Sequence, residues 1–428
     1  MRTYENTKIS SGLVNASILL YTFWLMLPAV QTTGRAVTGA AAVGIFGLGV
    51  LLDIQYVKKH WKWLVPCALC VLALPLVLKV FLLRGGDHFA GFYVQQVMFW
   101  FPLAFCAYAR RRKDPQLYRF LKWMLFGVMV ITTLTTIGWL VEGMFFRGGR
   151  VYAYARSLGS AEPGREAYLK ELMLKNIGGY DFIYATVISI PLTCIGVQHH
   201  RGMKRGVMVA FLCAQAAMIV LSQYTYAMIY AAVILMIQVI AALARMISKG
   251  KLSMGSSLLI GVIPLALIFL LHMPLVTLAA DLCTRLGLTN FAFSFEQLLV
   301  ALRGGVTDGE SRLGHYMLAA QGFTSSPLIG SMFTSAKQIS QHSDILDLLS
   351  GVGVIGTMLV GDMIAVIGKG SLKGIRSNPY RAQLLLMLAA LLVVALFGTV
   401  VYSRDIMLVV AIGILLVMEQ DKTSPQKA

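Results

Sequence analysis

Apolar runs of roughly 20 residues recur along the chain, parted by short polar stretches. That is the length a helix needs to cross about 30 Å of hydrocarbon. The runs fall at about 11–31, 36–56, 63–83, 88–108, 120–145, 179–197, 206–222, 225–244, 256–279, 346–367, 383–401 and 405–418. They predict an all-α polytopic membrane protein with about 12 spans, because open sheets and irregular backbone cannot face lipid with unsatisfied peptide groups. No small-residue cleavage pattern follows the first run, so it reads as a retained helix rather than a removed signal.

Composition agrees with this pattern. Of 428 residues, 57% are hydrophobic and 13% charged, against about 25% charged in a soluble domain. The net charge of +18 would point to nucleic acid in a soluble chain. Here no nucleic-acid module is visible, and the basic residues gather in short loops that alternate along the chain.

With the N-terminus inside, the inner loops carry Lys58, Lys59 and Lys62; Arg110, Arg111, Arg112 and Lys113; Arg201, Lys204 and Arg205; Arg245, Lys249 and Lys251; and Lys369, Lys373, Arg376 and Arg381. The short outer loops hold little more than Arg35, Arg84 and Arg404. The alternation predicts both termini in the cytoplasm. The chain reads as a single integral membrane domain, 1–428. Its six cysteines, including Cys67 and Cys70 at CxxC spacing, lie in or beside apolar runs with no second ligand pair, so they read as packing residues.

Two long loops then fall outside, 146–178 and 280–345. The first carries Arg147, Arg150, Arg156, Arg165, Lys170 and Lys175 against Glu162, Glu166 and Glu171. The positive-inside rule counts short loops, so these cations need another explanation, and binding an anion is the simplest.

The second loop carries Arg303 and, near its end, "ESRLGHYMLAAQGFTSSPLIGSMFTSAKQISQHSDILDLLSGVGVIG", Glu310 to Gly356. Asp308, Gly309 and Ser311 resemble a helix start. Leu313, Tyr316, Met317, Ala320 and Phe323 follow at helical spacing, and "TSSP" ends the helix. Arg312 and His315 share a face near its N-terminus. His342 precedes the next span, with Ser343 or Asp344 as its N-cap. A guanidinium and an imidazole thus sit near two helix starts at the outer membrane boundary, where a lipid-borne phosphate would lie. Simpler roles fit the same residues: headgroup contact for Arg312, an interfacial position for His342, a cap for Asp344 and a solvated face for His315.

The same stretch resembles the conserved region of the O-antigen ligase and Wzy-type O-antigen polymerase superfamily. The likeness lies in Arg312 with Tyr316 four residues on, Ala319–Ala320, the turn Pro327-Leu328-Ile329-Gly330, His342, and a span opening with Gly353-Val354-Ile355-Gly356. Departures are Ser343 where the family usually has Asn, Tyr316 where Trp is common, Met332 in place of a Gly, and "LSQYTYAMI" (Leu221 to Ile229) where many members carry an Arg.

The resemblance implies a GT-C-like fold in a bacterial cytoplasmic membrane. It also implies transfer of a glycan from undecaprenyl pyrophosphate to an acceptor at the outer face. Membrane lipids, a flippase and a chain-length regulator are the partners it implies; no nucleic acid is expected. Arg312, His342 and Asp344 would be catalytic. Arg147, Arg150, Arg156, Arg165, Arg303 and Tyr316 would bind substrate. No carboxylate cluster suggests a divalent cation and no Walker-type loop suggests a nucleotide, so neither cofactor nor metal is expected. The missing early Arg favours a polymerase over the alternative, a ligase that delivers the glycan to a lipid A core. A transporter or flippase would predict internal repeats and mid-membrane charges, and neither is visible.

Overall fold

The computed structural model describes residues 2–68, 89–112, 114–146, 166–222, 224–248, 251–253, 256–260, 272–285, 292–293, 295–296, 299–300, 312–331, 343–398 and 404–423. No strand occurs among them. The helices are α1 (Arg2–Met26), α2 (Pro28–Leu52), α3 (Ile54–Ala68), α4 (Phe89–Arg112), α5 (Pro115–Phe146), α6 (Glu166–Leu174) and α7 (Tyr180–His199). They continue with α8 (Gly202–Ser222), α9 (Thr225–Ile247), α10 (His272–Arg285), α11 (Arg312–Ser325), α12 (Asp344–Lys373), α13 (Asn378–Phe397) and α14 (Arg404–Thr423).

Six described stretches are long and apolar enough to cross a membrane: Ile9–Met26, Pro115–Gly143, Tyr180–His199, Gly202–Ser222, Tyr226–Ile247 and Asn378–Leu396. The bent pair Pro28–Gly34 and Val37–Leu52 within α2 would make a seventh. Of the predicted runs, 63–83 lies largely, and 256–279 partly, outside the described residues. Many outward-facing side chains on these helices are apolar, among them Leu48, Trp123, Ile131, Leu134, Met203, Val220, Val239 and Ile247. A surface of that kind suits lipid, and the architecture is that of a multi-pass membrane protein.

The first hairpin turns in two places: at Leu27–Pro28, which the hydropathy pattern does not predict, and again by 88° between Gly34 and Val37, where the predicted 31–36 connection ends. Leu27 is extended (φ −110°, ψ 100°), as the residue before a proline prefers. Pro28 then opens α2, where a missing N–H costs nothing. Buried hydroxyls hold the pair together: Ser10 Oγ donates to the Gly49 carbonyl (2.6 Å) and Ser17 Oγ to the Ala42 carbonyl (2.8 Å). Small and hydroxyl-bearing residues serve this purpose where lipid removes the hydrophobic drive for helices to associate.

The centre of the bundle is α7 with α14. On α7 every residue from Phe182 to Pro191 is buried, and on α14 so is every residue from Ile406 to Leu415. An aromatic cluster of Tyr21, Phe46, Phe101, Phe105 and Tyr108 ties α1, α2 and α4 beside them. Between α9 and α13, Gln238 and Gln383 exchange two amide hydrogen bonds, 2.5 and 2.9 Å long, and both side chains are buried. Gln238→Leu should therefore lower stability by about 1–3 kcal/mol, because it strands the other amide. Gln238→Leu with Gln383→Leu should recover most of that loss. Thermal unfolding of the purified variants checks both, and a double variant no more stable than the single would refute the pairing.

The bundle has two distinct ends. Arg110 at the close of α4 lies against Gly370 of α12. His199 Nδ1 at the close of α7 meets the Tyr380 hydroxyl near the start of α13 (2.9 Å). Asp421 of α14 accepts from the backbone N–H of Arg376 and Ser377 (2.7 and 2.6 Å). The basic clusters around 110–112, 201–205 and 369–381 thus share one end. The starts of α7, α12 and α14 and the close of α13 lie at the other.

Candidate functional site

At that other end, two motif segments interlock. Helix α11 closes at Ser325, and the Ser326-Pro327 junction follows it, where the sequence places the stop. The turn returns through Gly330, whose N–H donates to the Ser326 carbonyl (2.8 Å). The Pro327–Gly330 turn lies directly on a break in α12 at Gly353 (φ 66°, ψ −171°). Gly330 also has positive φ, 75°. A Cβ on Gly330 would overlap the Gly351 carbonyl, and one on Gly353 would overlap the backbone of Leu328. Both glycines are required by conformation and by close approach.

A helix break orphans the last carbonyls before it and the first N–H groups after it. The turn satisfies them. Val354 N–H donates to the Pro327 carbonyl (2.9 Å) and Ile355 N–H to the Leu328 carbonyl (3.1 Å). Ser331 Oγ donates to the Ser350 carbonyl (3.0 Å). Near lipid, each unmade bond would cost several kcal/mol.

Helix lengths show what the break does. The 30 residues of α12 would run about 45 Å, and the 20 of α13 about 30 Å. Yet the two are joined by only four residues at one end, and at the other the Asp344 N–H donates to the Gly398 carbonyl (3.2 Å). The surplus of about 15 Å is taken up where the axis breaks. The segment from Asp344 to Val352 therefore turns across the end of the bundle instead of running along it.

Of the residues singled out by the motif, the structure describes a part. Arg312 is the first residue of α11; its side chain lies outside the described residues, as do all of His342, Arg147, Arg150, Arg156, Arg165 and Arg303. Ser343, next to His342, is the cap of α12: its Oγ accepts from Leu346 N–H (3.2 Å). Asp344 is the first helical residue and half-buried. Tyr316 is half-buried on α11.

Two expectations about α11 are corrected. Its buried residues are Ala319 and Gly322, whereas Met317 (57% exposed) and Ala320 face outward. His315, expected on a solvated face, is half-buried. It stands four residues before Ala319 and so shares the face that packs.

Other groups on this end were not singled out by the sequence. Arg404 opens α14 with its guanidinium 5.2 Å from the centre of the Trp24 ring, and Nη1 donates to Met98 Sδ (3.6 Å). Asp405 is buried beside it, with Arg404 and Asp181 as charged neighbours. Five tyrosines from α7 and the start of α9 gather next to these. The Tyr180 ring is 4.5 Å from Tyr184 and 5.4 Å from Tyr224; Tyr230 lies 6.4 Å from Tyr184 and 6.3 Å from Tyr226. The Tyr180 hydroxyl lies beside Gly398, the residue that accepts the hydrogen bond from Asp344. The start of α12, the tyrosines and Arg404 are therefore one continuous region.

The loop before α7 is pinned to the same end. Thr135 Oγ1 donates to the Asn176 carbonyl (2.7 Å), and Gly178 N–H donates to Thr136 Oγ1 (2.8 Å). Thr132 Oγ1 donates to the Met26 carbonyl (2.9 Å). Lys175 pairs with Glu171 (2.6 Å), a local ion pair that accounts for one of that loop's cations.

The chemistry available here is a guanidinium held over an aromatic ring, tyrosine faces suited to sugar rings, and a helix start suited to an anion. The sequence signal for the tyrosines was in "LSQYTYAMI", noticed for the Arg it lacks. Comparison with protein-family models gives no match, and comparison with curated proteins gives no similar sequence.

Proposed function

We propose that the chain is a membrane glycosyltransferase of the polymerase type. It joins undecaprenyl-pyrophosphate-linked oligosaccharide units at the outer face of a bacterial cytoplasmic membrane, with about 12 spans and both termini inside. The observation that supports this most is the interlock of the Pro327–Gly330 turn with the Gly353 break. Two segments 23 residues apart in the motif meet there, and the helix starts that follow Ser311 and His342 belong to one packed unit.

In this reading the acceptor hydroxyl attacks the anomeric carbon of the lipid-linked donor. The new glycosidic C–O bond forms as the bond to pyrophosphate breaks, and the pyrophosphate leaves with that electron pair. Charge grows on the leaving group, so cations aimed there lower the barrier. Arg312 takes that role. His342 accepts the hydroxyl proton, which an imidazole does near neutral pH, and Asp344 orients it. Arg404 takes the place of the Arg missing from "LSQYTYAMI", and the five tyrosines hold sugar rings of donor or acceptor.

Reconstitution into proteoliposomes with a lipid-linked oligosaccharide tests the proposal. Polymer longer than the supplied unit, with release of undecaprenyl pyrophosphate, is the expected result. Transfer only to an added lipid A core would replace polymerase with ligase. Donor moved across the bilayer but chemically unchanged would replace both with flippase.

A further inference from the structure

At the basic end, a cavity of about 500 Å³ opens between α5, α7, α8 and α14. Its volume is that of an ordinary small-molecule site. The charged and titratable groups that line it are Arg119 and Lys122 of α5, His199 and His200 at the close of α7, Lys204 of α8 and Glu419 of α14. Three long-chain cations and one carboxylate thus line the same cavity. Lys122 is flanked by Glu419 and Lys204. Burial, and then repulsion by Lys122, His199 and Lys204, hold the His200 imidazole below its usual range. The first turn of α8 also lines the cavity, through Met203 and Lys204, and adds its dipole.

Below this rim the walls are apolar. The cavity reaches Met129 on α5 and Ser189 on α7. Each lies ten residues from the rim, or about 15 Å along its helix, which is half of the roughly 30 Å hydrocarbon core. At the floor, Gln215 Nε2 donates to Ser189 Oγ (2.8 Å), and Ser189 Oγ donates to the Thr186 carbonyl (2.7 Å). The mouth is flanked by outward-facing Trp123, Met203 and Val207, so the cavity is open on its lipid side. The ligand that fits is anionic at one end and apolar over the depth of one leaflet.

We propose that this cavity binds an anionic phospholipid from the leaflet at the basic end, with its phosphate on Arg119, Lys122 and Lys204 and one acyl chain along the walls formed by α5, α7 and α8. Basic clefts between membrane helices recognise such headgroups through added Coulomb attraction and hydrogen bonds. The site is at the opposite end from the motif, and the proposal does not depend on the function of that motif.

Native mass spectrometry of the full-length protein in non-ionic detergent, with added phosphatidylglycerol or phosphatidylcholine of equal chain length, provides the test. Wild type should retain phosphatidylglycerol at least about tenfold more strongly. Lys122→Ala with Lys204→Ala should bring the two lipids level while the lipid-free melting temperature stays unchanged. Lys204→Ala alone, at an exposed position, should remove part of the preference and covers the case in which the double variant misfolds. Filling the wall with Met208→Trp should reduce retention of both lipids. Millimolar inorganic phosphate should not displace phosphatidylglycerol. Equal retention of the two lipids by wild type, full preference in Lys204→Ala, or displacement by phosphate would each overturn the proposal, the last by showing a simple anion site.

Discussion

Arg312→Ala should reduce polymer yield by a factor on the order of 10²–10³, the usual cost of losing one charge-stabilising donor. Arg312→Lys should be nearly as damaging, because an ammonium cannot reproduce the bidentate fork that a guanidinium offers to phosphate. His342→Ala should fall in the same range. Arg312 opens a helix and His342 sits one residue before the Ser343 cap, so neither lies inside an apolar span. Membrane protein levels should therefore stay normal. His315→Ala should cost less than about tenfold, since His315 is half-buried and is not proposed to touch pyrophosphate. The measurement is polymer length and yield in cells lacking the native copy, with protein level followed alongside. Wild-type polymer from both Arg312→Ala and His342→Ala would refute the catalytic assignment. A severe defect in His315→Ala at normal protein level would transfer the proton-accepting role to His315.

The all-helical class, the stop of α11, and the gathering of the basic clusters around 110–112, 201–205 and 369–381 at one end were legible in the sequence. Each rests on a local rule: apolar run length, the stop before Pro327, and loop charge. What lay beyond the sequence was the direction in which helices face. In water an apolar stripe marks the buried side, but lipid is as apolar as the protein interior. Met317 and Ala320 therefore looked like packing residues and face outward, whereas Ala319 and Gly322 are the ones buried. For the same reason Arg404 read as one more residue of a short outer loop. Its position over Trp24 and beside Asp405 depends on α1, α4, α7 and α14 meeting, which no local pattern encodes. The tyrosine cluster joins residues up to 50 positions apart, from Tyr180 to Tyr230, and was hidden likewise. Gly353 read as the opening of a span; that it breaks the helix became clear only from the turn packed against it.

That break supports the second large effect. Gly353→Ala should destabilise the protein by on the order of 4 kcal/mol. Its φ of 66° with ψ of −171° lies in a region essentially reserved for glycine, at a cost of about 1–3 kcal/mol for any other residue. The new Cβ would also collide with the Leu328 backbone, which is rigid, and not with a side chain that can swing away. Relief requires the Pro327–Gly330 turn to lift off α12, and then the N–H groups of Val354 and Ile355 lose their acceptors, each a further penalty of about 1–3 kcal/mol. Gly330→Ala attacks the same contact from the other side through the Gly351 carbonyl. The double variant should thus cost little more than either single one, since mutations that break one shared contact are not additive. Gly361→Ala is the control: nothing lies within 4 Å of the added methyl, and alanine favours a helix over glycine by up to about 1 kcal/mol. Thermal unfolding in detergent should rank Gly361→Ala at or above wild type and both motif variants well below it. Polymer formation should fall with Gly353→Ala even at temperatures where the variant remains folded, because the segment holding Ser343 and Asp344 would no longer be turned across the end of the bundle. Wild-type melting and wild-type polymer from Gly353→Ala would show that the interlock does not position the site. Additive losses in the double variant would show that the two glycines act in separate contacts.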